Sequence, residues 1–260
     1  MNRHTVKDLI KLKSNGNKIT AVTCYDFFSA RAVQDAEIPL ALVGDSASMV
    51  VYGYDTTVPI TIEEIILLVR AVLRGNKSSL IVADMPFMSY QGSVNKAVDN
   101  AGRLIKDGGA HAVKLEGGSV IKNQIAAILD AGIPVVGHLG LLPQSINKLG
   151  GYSLQATSES SQKKIIDEAI LLEGLGVCAI VLECIPASIA NDITASLKVP
   201  TIGIGAGGGC DGHIQVLHDL LGLGGGQYPK HSHQYEQLGV RMVDALSRYK
   251  NEVESGSFKV

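Results

Sequence analysis

Apolar residues along this chain gather into short runs. Seven stand out: Ile19–Cys24, Leu40–Asp45, Leu80–Asp84, Ala112–Glu116, Pro134–Leu139, Ala179–Glu183 and Thr201–Gly205. A weaker eighth lies near Gly212–Leu217. Each has the length of a strand buried on both faces. Helical periodicity fills the stretches Thr61–Arg74, Ser93–Lys106, Val120–Ala131 and Ser160–Leu175. Thr61 and Glu64 make a capping-box pattern at the start of the first of these. Ala131-Gly132-Ile133-Pro134 reads as a helix stop followed by a strand start. Further helices are expected over Thr5–Lys13, ahead of the first strand, and over Gln234–Glu254.

Strand alternating with helix implies a parallel sheet covered by helices, and continuous apolar runs agree with strands buried on both faces. Eight such units match a (β/α)8 barrel, a fold of roughly 250 residues. An open doubly wound sheet has the same local signature, and periodicity does not separate the two. No linker or low-complexity stretch interrupts the pattern, so one domain over residues 1–260 is expected.

A chain of 260 residues can bury a large core without disulfide or metal staples. Its formal net charge of −2, with no Lys/Arg block, argues against a nucleic-acid partner. Cys24, Cys178, Cys184 and Cys210 are scattered, with no Cys-x-x-Cys pair, so neither a disulfide framework nor a zinc ribbon is indicated. Free thiols fit a reducing compartment. The N-terminus lacks the apolar stretch of a signal peptide, and no run approaches the roughly 18 apolar residues of a membrane span. A soluble, cytoplasmic protein is expected.

The chemistry lies in how the runs end. Four finish in a carboxylate: Asp45, Asp84, Glu116 and Glu183. In a parallel α/β fold the C-terminal strand ends converge on one face, where ligands bind. Acids there can also simply cap the helices that follow. Four from four strands would crowd like charges together, and a divalent cation would relieve that repulsion. Asp45, Asp84 and Glu116 offer only oxygen, which suits Mg²⁺. Lys114 lies two residues before Glu116, so both side chains share one face of their strand. It reads as a clamp for a substrate carboxylate, with a structural Lys–Glu pair or a Schiff-base lysine as alternatives. His138, near the end of the fifth run, reads as a further ligand or a hydrogen-bonding neighbour, and His231 and His233 read as a solvated loop.

Gly203-Ile-Gly205-Ala-Gly207-Gly208 matches G-x-G-x-x-G. A dinucleotide site needs that motif to open a helix, and Gly209-Cys-Asp-Gly212 does not read as one. A tight turn or a loop closely approaching a ligand is expected instead.

These residues carry a family resemblance. Val43-Gly-Asp-Ser46 with Met49–Thr57, Asp84–Tyr90, Ala112–Gly118, Gly137–Gln144, Ile180–Cys184, Pro200–Gly207, Cys210–Gly212 and Leu217–Gly222 resemble ketopantoate hydroxymethyltransferases, in order and over nearly the whole chain. The resemblance implies a (β/α)8 TIM barrel of the phosphoenolpyruvate/pyruvate type with an extra N-terminal helix, often assembled as a homodecamer. It implies transfer of a hydroxymethyl group from 5,10-methylenetetrahydrofolate to 3-methyl-2-oxobutanoate. The product, 2-dehydropantoate, leads to pantothenate and coenzyme A. Position by position, Asp45, Asp84 and Glu116 match a Mg²⁺ site, and Asp45, Ser46, Asp84 and Lys114 match substrate contacts. Glu183 matches the general base. Ala47-Ser48, His213, Gly207–Gly209 and the region Leu154–Ser161 depart from the family's usual residues. A Mg²⁺-dependent carbon–carbon lyase on the same scaffold would use the same acids, and its independence of folate would distinguish it. A catalytically dead scaffold would be free to lose at least one of Asp45, Asp84, Lys114, Glu116 and Glu183, and all five are present.

Overall fold

Eight strands close on themselves in the computed structural model, which describes residues 3–224 and 228–259. They are β1 (Ile19–Thr23), β2 (Leu40–Val43), β3 (Leu80–Asp84), β4 (Ala112–Glu116), β5 (Val135–Gly140), β6 (Ala179–Glu183), β7 (Thr201–Ile204) and β8 (Gly212–Gln215). Their order around the barrel is their order in the chain. The pairs from β1–β2 through β7–β8 are parallel. The closed ring decides for the barrel over the open sheet, and each apolar run supplies one strand with ends shifted by no more than a residue or two.

Side-chain alternation sorts the strands into an inner and an outer face. Leu40 and Leu42, Leu80 and Val82, Ala112, Val136, and Ala179 and Val181 belong to one buried cluster inside the ring, with Ile19, Ala21, Ile202 and Ile214. The helix Val6–Ser14 caps this cluster: Leu9 is a fully buried member, and Val6 and Leu12 pack against it. That is the extra N-terminal helix the sequence predicts, with Thr5 and Asp8 in a reciprocal capping box.

Local signals account for most helix boundaries. Thr61 Oγ1 accepts from Glu64 N at 3.3 Å, and Glu64 Oε2 accepts from Thr61 N at 2.7 Å, so the helix Ile62–Gly75 begins where its capping box stands. The Ser93-capped helix Val94–Arg103 loosens into a π turn over Leu104–Gly108 and ends at Gly109, φ +89°. Helices over Phe27–Asp35 and Ala187–Ser196 were not among those the sequence predicts. The G-x-G-x-x-G stretch follows β7 but opens no helix. Gly207, φ +75°, lets the chain turn against Ala187, whose Cβ would lie 2.4 Å from any Cβ at that position. It is the tight turn.

By internal contacts the chain forms two compact units, Met1–Ile214 and Gln215–Val260. The second holds the short helix Leu217–Leu220 and the long helix Leu238–Ser255, four residues later in its start than expected from the sequence. Among the described residues, no helix is long and apolar enough to cross a membrane, and all four cysteines are free thiols.

His111, the residue before β4, is expected to make folding sensitive to acid. His111 Nδ1 accepts from Ile81 N at 2.9 Å. Burial, with Arg3 adding to it, pushes the imidazole down to about 4. Between the usual 6.5 and that value the unfolded chain binds the extra proton and the folded one does not. His111 therefore contributes stability above pH 6.5 that is lost as pH falls towards 4. Thermal melts across this window are expected to show His111→Asn with a flatter acid limb than wild type. Parallel curves would assign the acid sensitivity elsewhere.

Candidate active site

The inward alternation of each strand continues past the apolar cluster into charge. Val82 is followed two residues on by Asp84, Ala112 by Lys114 and then Glu116, Val136 by His138, and Val181 by Glu183. Register brings them side by side: Asp84 pairs with Lys114, and Glu116 with His138. Asp45 follows the end of β2, where its backbone N donates to Asp84 Oδ2 at 2.9 Å. Asp45, Asp84, Lys114, Glu116 and His138 are buried, and Glu183 is the partly open member.

Lys114 Nζ stands at the centre. It lies 3.0 Å from Asp84 Oδ1, 4.0 Å from Glu116 Oε1 and 3.0 Å from His138 Nδ1. The imidazole reaches onward, with Nε2 3.1 Å from Glu183 Oε2. That contact is short but lacks hydrogen-bond alignment, so it is an electrostatic contact. The Ser46 hydroxyl pairs with Tyr25 Oη at 2.8 Å. None of the four strand-end acids is the N-cap of the helix that follows; Ser46, Ser93, Gly118 and Pro186 hold those positions. The capping explanation therefore fails, and the structure brings together every residue singled out from the strand ends.

Four carboxylates share this mouth with one ammonium, and the proton affinities reflect it. Burial, reinforced by Asp84, pushes Asp45 up to about 7. Burial also drives Glu116 well above the usual carboxylate range, against the pull of Lys114. For Lys114, burial alone would favour the neutral amine, but the charges of Asp84, Glu116 and Asp45 outweigh it and raise its proton affinity. Burial and the Lys114 charge hold His138 neutral, well below 6.5. With the ammonium donating to Nδ1, the ring proton of neutral His138 sits on Nε2.

Among the described residues, no group of three or more His, Cys, Asp or Glu side chains stands arranged as a metal cage. Mg²⁺ does not need one, because it keeps several waters and takes one or two protein carboxylates. The donor set fits it. Asp45, Asp84 and Glu116 are all oxygen donors on adjoining strand ends, and the buried Glu116 Oε1 accepts no hydrogen bond. A cation would also offset the excess negative charge.

Sequence reasoning missed Gln144, Tyr90 and Tyr25. Gln144, in the 3₁₀ turn after β5, donates from Nε2 to Asp45 Oδ2 at 2.8 Å and from its backbone N to Glu116 Oε2 at 3.0 Å. Tyr90 Oη accepts from Glu116 N at 3.1 Å. The only sequence signal for Gln144 and Tyr90 is that each ends a motif following a strand.

A closed parallel barrel with charged residues on its C-terminal strand ends is a (β/α)8 scaffold with its candidate active site at the usual face. A putative phosphonomutase from Burkholderia cenocepacia J2315 has the same fold, with TM-score 0.65 and 13% identity, covering 90% of this chain and 95% of that one. So has 2,3-dimethylmalate lyase, a PEP mutase/isocitrate lyase superfamily member, with TM-score 0.60 and 14% identity, covering 96% of this chain and 88% of that one. The sequence is more specific: the profile of ketopantoate hydroxymethyltransferase matches residues 3–259, and the chain belongs to that family. It is 52% identical over 250 residues to the 3-methyl-2-oxobutanoate hydroxymethyltransferase of Thermoanaerobacter sp. (strain X514), covering 96% of this chain and 91% of that one. It is also 52% identical over 256 residues to the Moorella thermoacetica enzyme of the same name, covering 98% and 95%. Like them it is an enzyme, a hydroxymethyltransferase.

Proposed function

We propose that the chain transfers a hydroxymethyl group from 5,10-methylenetetrahydrofolate to 3-methyl-2-oxobutanoate, giving 2-dehydropantoate for pantothenate and coenzyme A synthesis. The observation that carries this is a buried lysine, 3.0 Å from Asp84 and 4.0 Å from Glu116, in a mouth of four carboxylates, one of which stands apart and partly open. A 2-oxo acid needs a cation for its carboxylate and a base for its C3 hydrogen, and these side chains supply both.

Asp45, Asp84 and Glu116 would hold Mg²⁺, directly or through water, and the ion when bound supplies Lewis acidity that weakens the C3–H bond. Lys114 neutralises and orients the substrate carboxylate, with Ser46 beside it. Its raised proton affinity disfavours the free amine that a Schiff base requires. Glu183 takes the C3 proton. Neutral His138 cannot serve as that base, because its Nδ1 lone pair faces the Lys114 ammonium and its Nε2 already carries hydrogen. The carbanion left at C3 attacks the one-carbon unit of the folate. Overall one water is consumed, its oxygen becoming the new hydroxyl, and tetrahydrofolate leaves.

The chain works as a homo-oligomer in this reading, the decamer implied by the family. The helix Leu238–Ser255 buries none of its residues and exposes Val243, Leu246 and Tyr249, an apolar surface of the kind that marks association. A cytoplasmic location follows from the pathway.

An assay of tetrahydrofolate release with 3-methyl-2-oxobutanoate, methylenetetrahydrofolate and Mg²⁺ tests the whole proposal. Product formed without folate would point to a lyase instead. Lys114→Met tests the clamp. Loss of a buried charge partner is expected to raise KM for the 2-oxo acid about 10²-fold. Borohydride capture of a covalent adduct at Lys114 in the wild type would establish the Schiff base and overturn the clamp.

A further inference from the structure

The loop after β5 turns tightly at Pro143–Ser145 and buries the Gln144 side chain, which is only 4% exposed. A primary amide has two N–H donors and two acceptor lone pairs, and each capacity of this one is used. Nε2 donates to Asp45 Oδ2 at 2.8 Å and to Met85 O at 2.9 Å. Oε1 accepts from Tyr90 Oη at 2.9 Å and from Gln91 Nε2 at 3.1 Å. The same residue's backbone N donates to Glu116 Oε2 at 3.0 Å.

These bonds tie the loop after β5 to the ends of β2, β3 and β4. They also act selectively on two carboxylates. Gln144 occupies one oxygen of Asp45 and one oxygen of Glu116. Glu116 Oε1 is thereby left without a hydrogen bond. The amide cannot flip, because two carbonyl-type oxygens face Nε2 and two donors face Oε1. The Gln144 amide, with its donors and acceptor oxygen all engaged, is held in one arrangement.

We propose that Gln144 is a positioning residue for cation binding: it fixes the Asp45 and Glu116 carboxylates and directs the remaining Glu116 oxygen towards the ion. Tyr90 acts one step further out, locking the amide of Gln144 through its hydroxyl. The assignment rests on the metal reading given above. Partners that orient metal ligands typically change metal affinity or activity by about 10–100-fold when lost.

Gln144→Met keeps the length of the side chain and removes all four amide bonds. Its Mn²⁺ affinity, measured by calorimetry without substrates, is expected to fall about 10–100-fold. The activation constant for Mg²⁺ is expected to rise in parallel, while kcat at saturating Mg²⁺ returns towards the wild-type value. A purely structural role would lower the melting temperature and leave metal affinity unmoved, and that result overturns the assignment. Should Gln144→Met not fold, Tyr90→Phe frees the amide more gently, and wild-type Mn²⁺ affinity in that variant overturns it equally. Asp84→Asn is the control. Equal Mn²⁺ affinity in wild type and Asp84→Asn would overturn the metal reading and this assignment together. A weakened Asp84→Asn beside an unaffected Gln144→Met overturns the assignment alone.

Discussion

Turnover is expected to fall at least about 10³-fold when Asp84 becomes Ala, since Lewis-acid stabilisation supplies several kcal/mol and each 1.36 kcal/mol is tenfold in rate. Asp84 is nearly inaccessible, at 2% exposure. One of its oxygens accepts the Asp45 backbone N–H at 2.9 Å and the other pairs with Lys114 at 3.0 Å. The Ala variant therefore loses a proposed cation ligand and also the nearest counter-charge of a buried ammonium. The second loss is expected to cost about 3–5 kcal/mol of stability. Asp84→Asn removes the same charge but keeps the side-chain volume and an amide oxygen that can still accept from Asp45 N. Its difference from the Ala variant isolates the packing and that hydrogen bond from the loss of charge. Comparing melting temperature with initial rate in the two variants checks the assignment. Unchanged turnover in chelator-treated wild type would refute a metal-assisted reaction altogether.

Glu183→Gln is expected to retain metal and 2-oxo acid while losing about 10²-fold or more in turnover, the scale of general-base loss. Glu183 ends β6 on the inward face, 15% exposed at its side chain, and its Oε2 lies 3.1 Å from His138 Nε2. In the proposed mechanism the other three carboxylates hold the cation, and His138 Nδ1 faces the Lys114 ammonium at 3.0 Å. That leaves Glu183 as the group able to accept a proton from a substrate entering the mouth. The partial reaction is the sharper measurement: in deuterated water without folate, wild type is expected to exchange the C3 hydrogen and the Gln variant to fail. Exchange at the wild-type rate by Glu183→Gln would move the base elsewhere, with a metal-bound water the next candidate.

The acids were legible because they stand at strand ends, where runs such as Ile-Val-Ala-Asp84 and Val-Lys-Leu-Glu116 switch abruptly from apolar to charged. A buried parallel strand tolerates that switch only where the charges find partners, as Asp84 and Lys114 do at 3.0 Å. The helix Ile62–Gly75 was legible for a similar reason, since its Thr61–Glu64 capping box is a contact between neighbours in sequence. The helix Ala187–Ser196 was not. Its Ser, Ile, Asn and Thr residues carry little helical preference, and burial of Ile189, Ala190 and Ile193 holds it in place. Phe27–Asp35 begins with Phe28 80% exposed, which hides its apolar stripe, although Asp26 caps it through Phe28 N and Ser29 N.

Sequence by itself determined the alternation of strand and helix, the acids that close four of the strands, the pairing of Lys114 with Glu116 on one strand face, and the family. These follow from periodicity, from the two-residue repeat of a strand, and from motifs read in order. Only the tertiary structure decided that the sheet closes into a ring, because closure depends on β1 and β8 meeting across almost 200 residues of chain. It alone placed His138 between Lys114 and Glu183, which fixes the tautomer and separates the histidine from the base. It alone found Gln144, 99 residues from the Asp45 carboxylate it binds. An amide carries no charge and breaks no local pattern, so its role appears only when folding surrounds it with partners from other strands.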